Sequence, residues 1–347
     1  MRWFCSFGNS TRRFQFPNHR RYLCIAVIIK RPLKNKPSLP TLENVKKGID
    51  ELLLIDKWDR YKIKKSPNRF EKRLNELFMG KLQIMPYLIY LASDTSLPKQ
   101  FYRLRKQTAS FNERLISEYS YPPNHYVKTV QRANIPYHPV FYCSDNPSTA
   151  IQETIKDDEK ANEKAVYYMS EWTTRDEQDI RVCPYIFDNV AETNPYRRLS
   201  EINKIKLFEQ MAEHTEDEKN GMFEILKFLS NLFTYENTYV VSSYLAYINL
   251  YAPHNFRPDI FIYPSVQTNK TTVNFAIHPN AVIEKLKLKR IFKLRLTEYN
   301  KIANKYTVSI SWVGHNDNGV IRWTEVDKDT DKGKEMIKEI QTVFSDS

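Results

Sequence analysis

The stretch Arg132-Ala133-Asn134-Ile135-Pro136-Tyr137-His138-Pro139-Val140-Phe141-Tyr142-Cys143-Ser144-Asp145-Asn146-Pro147-Ser148-Thr149-Ala150-Ile151-Gln152-Glu153 reads as a loop, a strand and a helix start in succession. Val140 to Cys143 is a short apolar run between turn signals, the pattern of a strand. Asn146-Pro147-Ser148 then launches a helix through Ala150, Ile151 and Ile155, with Pro at a tolerated opening position. Arg132 and Tyr142 lie ten residues apart, and Tyr142 and Glu153 eleven. If the strand packs on the helix, a cation, an aromatic face and a carboxylate converge on one crevice. Each residue also has an ordinary reading: Arg132 as a surface charge, Tyr142 as a core aromatic with a wet hydroxyl. Glu153 would then be a first-turn helix acid favoured by the dipole.

Outward from this stretch, strands and helices interleave. Val45, Ile49, Leu52 and Leu53 recur at helical spacing behind a capping Thr41, and Ser66-Pro67 precedes a second helix bearing Phe70, Leu74, Leu77 and Phe78. Ala165–Trp172, Ile180–Phe187, Asp259–Tyr263 and Val273–Ile277 read as strands. Residues 200–250 read as two or three helices, in which Met222, Phe223, Leu226, Leu229 and Phe233 form a core stripe. Tyr306–Trp312 and Val320–Val326 flank His315-Asn316-Asp317-Asn318-Gly319, hairpin turn chemistry, and a last helix begins near Lys332. The expected class is α+β or mixed α/β, with no internal repeat.

The 347 residues allow one large or two modest domains. With 41% hydrophobic and 13% aromatic residues, disorder throughout is excluded; 7 Gly and 18 Pro exclude collagen-like classes. The net charge of +12 suggests nucleic acid, but its distribution does not. Residues 1–100 hold 21 Lys+Arg and 8 Asp+Glu, net +13, and the rest hold 32 and 33, net −1. The first acid, Glu43, follows nine basic residues. That basic arm is read as a disordered segment, an interaction tail, or the product of a start codon placed too far upstream. Tyr22–Ile29 is too short to span a bilayer, which needs about 20 residues, and no small-residue cleavage site follows before Lys30 and Arg31; a short strand is expected there. Cys5, Cys24, Cys143 and Cys183 form no C-x-x-C pair, which argues against zinc and a disulfide scaffold and fits a reducing cytosol, although two bridges remain open. The scattered His125, His138, His214, His254, His278 and His315 show no ligand spacing. No G-x-G-x-x-G and no G-x-S-x-G occurs, against a Rossmann dehydrogenase and a serine hydrolase.

Six segments follow in order: Phe101-Tyr102-Arg103, Arg132-Ala133-Asn134, Pro139-Val140-Phe141-Tyr142, Thr149-Ala150-Ile151-Gln152-Glu153, Ile262-Tyr263-Pro264-Ser265 and Val273-Asn274-Phe275. Together they resemble the RES domain family, named for its Arg, Glu and Ser, over about residues 100–295. The helix around Tyr239–Tyr247 is also similar. The chain departs from the family's pattern at Gln131, Ala133 and Tyr137, where Gly, Trp and Gly are common, and at Asp259-Ile260, where a Gly often precedes the Ser strand.

The resemblance implies an ADP-ribosyltransferase-like mixed β-sheet core with surrounding helices and a helical N-terminal extension. The layout would be a basic arm (1–40), a helical region (41–98) and a RES-like catalytic domain (99–347) ending in a β-hairpin and helix. It further implies a cytoplasmic enzyme that cleaves the nicotinamide–ribose bond of NAD by hydrolysis or phosphorolysis. Such an enzyme would be a toxin of a toxin–antitoxin or defence system, with an Xre-type antitoxin as partner. The catalytic residues would be Glu153, Arg132, Tyr142 and Ser265, with Arg103, Tyr102, Asn134 and Asn274 binding NAD. NAD is then the substrate; no cofactor, metal or membrane is expected, nor nucleic acid at the catalytic domain. Breaking that bond passes through an oxocarbenium-like sugar, which a carboxylate stabilises. Tyr142 would stack on nicotinamide, and guanidinium forks would suit the pyrophosphate. The alternatives are ADP-ribosyl transfer to a protein, and a non-catalytic protein that docks nucleic acid or a partner through the basic N-terminus.

Overall fold

A computed structural model describes residues 25–29, 39–55, 58–61, 63, 66–92, 97–98, 100–156, 165–175, 179–235, 239–251, 257–300 and 305–345. Most of the basic arm, Tyr22, Cys5, Cys24 and His254 lie outside the described residues. In chain order the elements begin with β1 (Ile25–Ile29), α1 (Leu42–Leu53), α2 (Pro67–Leu82), β2 (Pro86–Ala92) and β3 (Phe101–Lys106). Next come β4 (Phe141–Ser144), α3 (Pro147–Lys156), β5 (Val166–Thr174), β6 (Ile180–Pro184), α4 (Arg197–Gln210), α5 (Glu216–Asn231) and α6 (Tyr239–Leu250). The chain ends with β7 (Ile260–Pro264), β8 (Val273–Ile277), α7 (Pro279–Lys285), β9 (Leu286–Asn300), β10 (Lys305–Asp317), β11 (Val320–Glu325) and α8 (Asp331–Ser345). Helices and a mixed set of strands make this an α+β protein, consistent with an ADP-ribosyltransferase-like fold. The contacts divide it into two compact units that interleave along the chain.

The first unit comprises Met1–Leu97, Lys128–His138 and Asp179–Tyr263. Its strands run β1-β2-β6-β7, antiparallel except for the β6–β7 pair. Thr41 and Ser66 cap α1 and α2 as their sequence signals predict, each side chain accepting a backbone N–H at 3.3 Å. Two glycines let helices touch: a Cβ on Gly48 would sit 2.1 Å from the Lys81 carbonyl oxygen of α2, and one on Gly221 2.6 Å from that of Pro40. Phe78 stacks between Trp58 and Tyr244 of α6, and the predicted stripe of α5 is buried. From Val240 to Leu250 every residue of α6 is buried. An all-round apolar helix belongs inside a domain, so no amphipathic period marks it. The strand expected over Ile180–Phe187 stops at Pro184, because Phe187 N–H turns to the Asn189 side chain at 3.0 Å and Asp188 is left-handed (φ 55°).

The second unit comprises Pro98–Val127, Pro139–Gln178 and Pro264–Ser347. Its strands run β8-β4-β3-β5-β9-β10-β11, every pair antiparallel. One face, with Tyr102, Leu104, Tyr167, Met169 and Phe292, packs against α3 and against Met336, Ile340, Val343 and Phe344 of α8. The other face is covered by the loop after β3. There Phe111 stacks on Tyr168 at 4.6 Å, and Glu113 gathers Tyr168 Oη and Lys293 Nζ on its carboxylate, Tyr119 Oη and Trp323 Nε1 on its carbonyl. The C-terminal hairpin forms as predicted, but its turn is only Asn318-Gly319, both left-handed (φ 50° and 92°). His315, Asn316 and Asp317 instead pair with Arg322, Ile321 and Val320. This is the two-residue turn whose twist suits paired strands.

Candidate active site

The quoted stretch supplies the site's frame in the second unit. β4 pairs with β8 in the register Phe141↔Ile277, Tyr142↔Ala276, Cys143↔Phe275 and Ser144↔Asn274. The chain then turns at Asp145 and Asn146, whose side-chain oxygen accepts Thr149 N–H at 3.1 Å and opens α3. Because α3 begins at Pro147 and has no acid in its first turn, Glu153 sits in the second turn. A first-turn dipole role therefore does not describe it.

Glu153 is defined by its partners. Ser265 Oγ and Asn274 Nδ2 both donate to Oε1 at 2.6 Å, bonds of the charge-assisted kind that fix a carboxylate's orientation. Among the described residues Oε2 has no partner and no cation pairs with the group. Ser265 is itself fully buried and locked at a turn. Its N–H donates to Thr272 O at 3.0 Å and its carbonyl accepts Lys270 N–H at 2.8 Å, while Asn269 and Lys270 adopt left-handed backbone (φ 52° and 65°). A chain of hydroxyls ties this turn to the helix: Thr149 Oγ1 lies 2.9 Å from Thr272 Oγ1, which lies 2.8 Å from Thr268 Oγ1. Sequence reasoning missed Thr268 and Thr272. The hydroxyl-rich run Ser265 to Thr272 was their signal, but distant pairing with Thr149 cannot be read locally.

Direct cross-strand partners point to the same face. Tyr142 and Asn274 therefore share the face on which Glu153 is held, through the register of β4 on β8. Tyr102, paired with Ser144, also lies on it but is buried in the core beside Ala150 and Ile151. Arg103 alternates to the opposite face. Its guanidinium stands 5.4 Å over the Phe141 ring and donates to the Tyr142 carbonyl at 3.0 Å, and its Nε is buried with no partner among the described residues. Burial, and then the neighbouring Arg105 charge, pull it down to about 10.

Arg132 and Asn134 belong to the first unit. Arg132 donates to the Phe233 carbonyl and to Tyr239 Oη at 3.1 Å, with its guanidinium 4.8 Å over the Tyr239 ring. Asn134 is buried and ties its own loop, donating to Thr129 O at 3.2 Å. Tyr137, where the family commonly has Gly, still takes a left-handed backbone (φ 64°), so the loop makes the turn that a glycine serves without one. Among the described residues no group of three His, Cys, Asp or Glu is placed to hold a metal, and no helix is long and apolar enough to cross a membrane. Cys143 and Cys183 are free and buried.

A carboxylate held by neutral donors, on the sheet face that Tyr142 shares and on a β4–α3 frame, now stands with the sequence comparison. Residues 100–297 match the RES domain. The chain belongs to the RES domain family. No match is found among curated proteins. The RES match begins at β3 and ends within β9, so β1, α1, α2, β2, β10, β11 and α8 lie outside it. RES proteins form an NAD-related, toxin-like family and are in general enzymes.

Proposed function

We propose that this RES protein cleaves the nicotinamide–ribose bond of NAD, with Glu153 as the group that stabilises the reacting sugar. The observation that carries this is the pair of donors, Ser265 and Asn274, on one oxygen of a carboxylate without a cationic partner among the described residues. Such a carboxylate keeps its charge for a substrate. As the glycosidic bond breaks, its electron pair passes to the nicotinamide nitrogen and neutralises the pyridinium. Positive charge develops at the ribose carbon and ring oxygen, which a fixed carboxylate stabilises without reorganising. Water then bonds to that carbon and loses a proton to solvent. Tyr142 stacks on the departing nicotinamide, Ser265 is the positioning residue for Glu153, and Asn274 serves both the carboxylate and the ribose. Arg103, Arg132, Tyr102 and Asn134 enter as NAD-binding groups through the family resemblance alone.

In a cell this activity depletes NAD, which fits a cytoplasmic toxin held by a partner protein such as an Xre-type antitoxin. Purified protein incubated with NAD is expected to release nicotinamide, and Glu153→Gln to release it about 10³-fold more slowly. No release by the wild type, or equal release by the variant, overturns the proposal. Adenylate-labelled NAD separates the acceptors: free ADP-ribose marks hydrolysis, its phosphorylated form phosphorolysis, and a labelled protein band transfer.

A further inference from the structure

The second unit contains a cleft of about 610 Å³, within the range of small-molecule sites. It shares no lining residue with the Glu153 site. Its walls are Ile116, Trp172, Val282, Leu286 and Leu288, and its cations are Arg175 and Lys287. None of its described lining residues is acidic. One feature gives the cleft a polar end. Arg175 is exposed and held by its Nε on the Leu286 carbonyl at 3.1 Å; among the described residues its terminal nitrogens carry no partner. Trp172 is 4% exposed and its indole nitrogen is itself buried, so this residue serves the cleft as part of its apolar wall.

Mostly apolar walls with a fork-shaped cation at one end suit one negative charge on an apolar body. A nucleotide's phosphates and polar base suit such walls poorly. We propose that this cleft is a second ligand site for an amphipathic organic anion, of which a medium-chain carboxylate is the simplest case. The carboxylate meets Arg175, with Lys287 adding charge at the rim, while the chain displaces water from Trp172, Leu286 and Leu288. Nothing in this depends on the NAD reaction.

Equilibrium dialysis of labelled decanoate against the full chain tests it. Saturable binding of one decanoate per chain is expected, with a dissociation constant below about 1 mM. Arg175→Gln combined with Lys287→Gln, both exposed positions, should weaken it about tenfold with the melting temperature unchanged. Ser117→Trp, at the exposed rim, should weaken it by obstruction. Non-saturable uptake, an unchanged constant in both variants, or equal affinity for decanol overturns the proposal, as does saturable binding of AMP in place of decanoate.

Discussion

Two carboxylates of the second unit, Glu153 and Glu171, are held in opposite ways. Glu171 is fully buried between Lys289 Nζ at 2.9 Å and Arg290 Nε, and Arg290 reaches on to Glu339 of α8. Its charge is consumed in fastening β5, β9 and the C-terminal helix. Among the described residues Glu153 meets only a hydroxyl and an amide, so its position is fixed while its charge stays available. A carboxylate compensated by cations is a fastener; one oriented by neutral donors can act on a substrate. Composition does not separate the two, since both are single Glu residues next to apolar runs.

The sharpest way to break this contrast is the same change at both sites. Glu153→Gln should remove nearly all nicotinamide release while thermal stability changes little. Glu171→Gln should leave Arg290 with an incompletely compensated buried charge and destabilise folding by about 3 kcal/mol, read by denaturant unfolding. The reverse pattern, an inactive stable Glu171 variant and an unfolded Glu153 variant, would end the distinction. Ser265→Ala sharpens it. With one donor lost, turnover should fall about 10- to 100-fold with KM nearly unchanged, and Ser265→Thr should restore part of it; a pure loss of stability would make Ser265 structural.

Smaller effects test the surroundings. Tyr137→Gly should stabilise by about 1 kcal/mol, since the left-handed backbone penalises a side chain; chemical denaturation measures it, and a destabilisation would mean the Tyr137 contact with Lys128 outweighs the strain. Beside the Glu171 clamp, burial and then the Arg290 charge lower the protonation of His315. The unfolded chain then binds its proton more readily, so the stability linked to His315 is present above the ordinary histidine range and lost as pH falls below it. His315→Gln should flatten the stability profile between about pH 7 and 5; an unchanged slope assigns that acid sensitivity elsewhere.

Much of this could be read locally. Thr41 and Ser66 announced their helices because a cap is a bond to a backbone two or three residues away. Asn318-Gly319 announced its hairpin because both positions demand left-handed backbone. β4 and the start of α3 followed from an apolar run and an Asn-Pro turn. α6 carries no period because it is buried on all sides, and it was legible through its likeness to the family's helix. β2, β9 and α7 are among the elements that escaped; β2, Pro86–Ala92, lies in a region read as helical. β9, Leu286–Asn300, carries Lys287, Lys289, Arg290, Lys293 and Arg295 among its apolar residues, a charge density that resembles an exposed linker until β5 and β10 flank it. α7 is too short, at seven residues, for periodicity to register.

The candidate site divides the same way. By itself the sequence determined the family, the strand–turn–helix around Glu153 and the identities of Ser265 and Asn274, because these depend on residue types at short range or on an ordered string of motifs. Tertiary structure alone decided that Ser265 and Asn274 share one oxygen of Glu153, that Arg103 lies on the opposite face of its sheet, and that Glu171 is neutralised. Those outcomes depend on strand register, in which a shift of one residue exchanges the two faces. Register is settled by pairing between segments more than a hundred residues apart, as Glu153 is from Ser265 and Asn274.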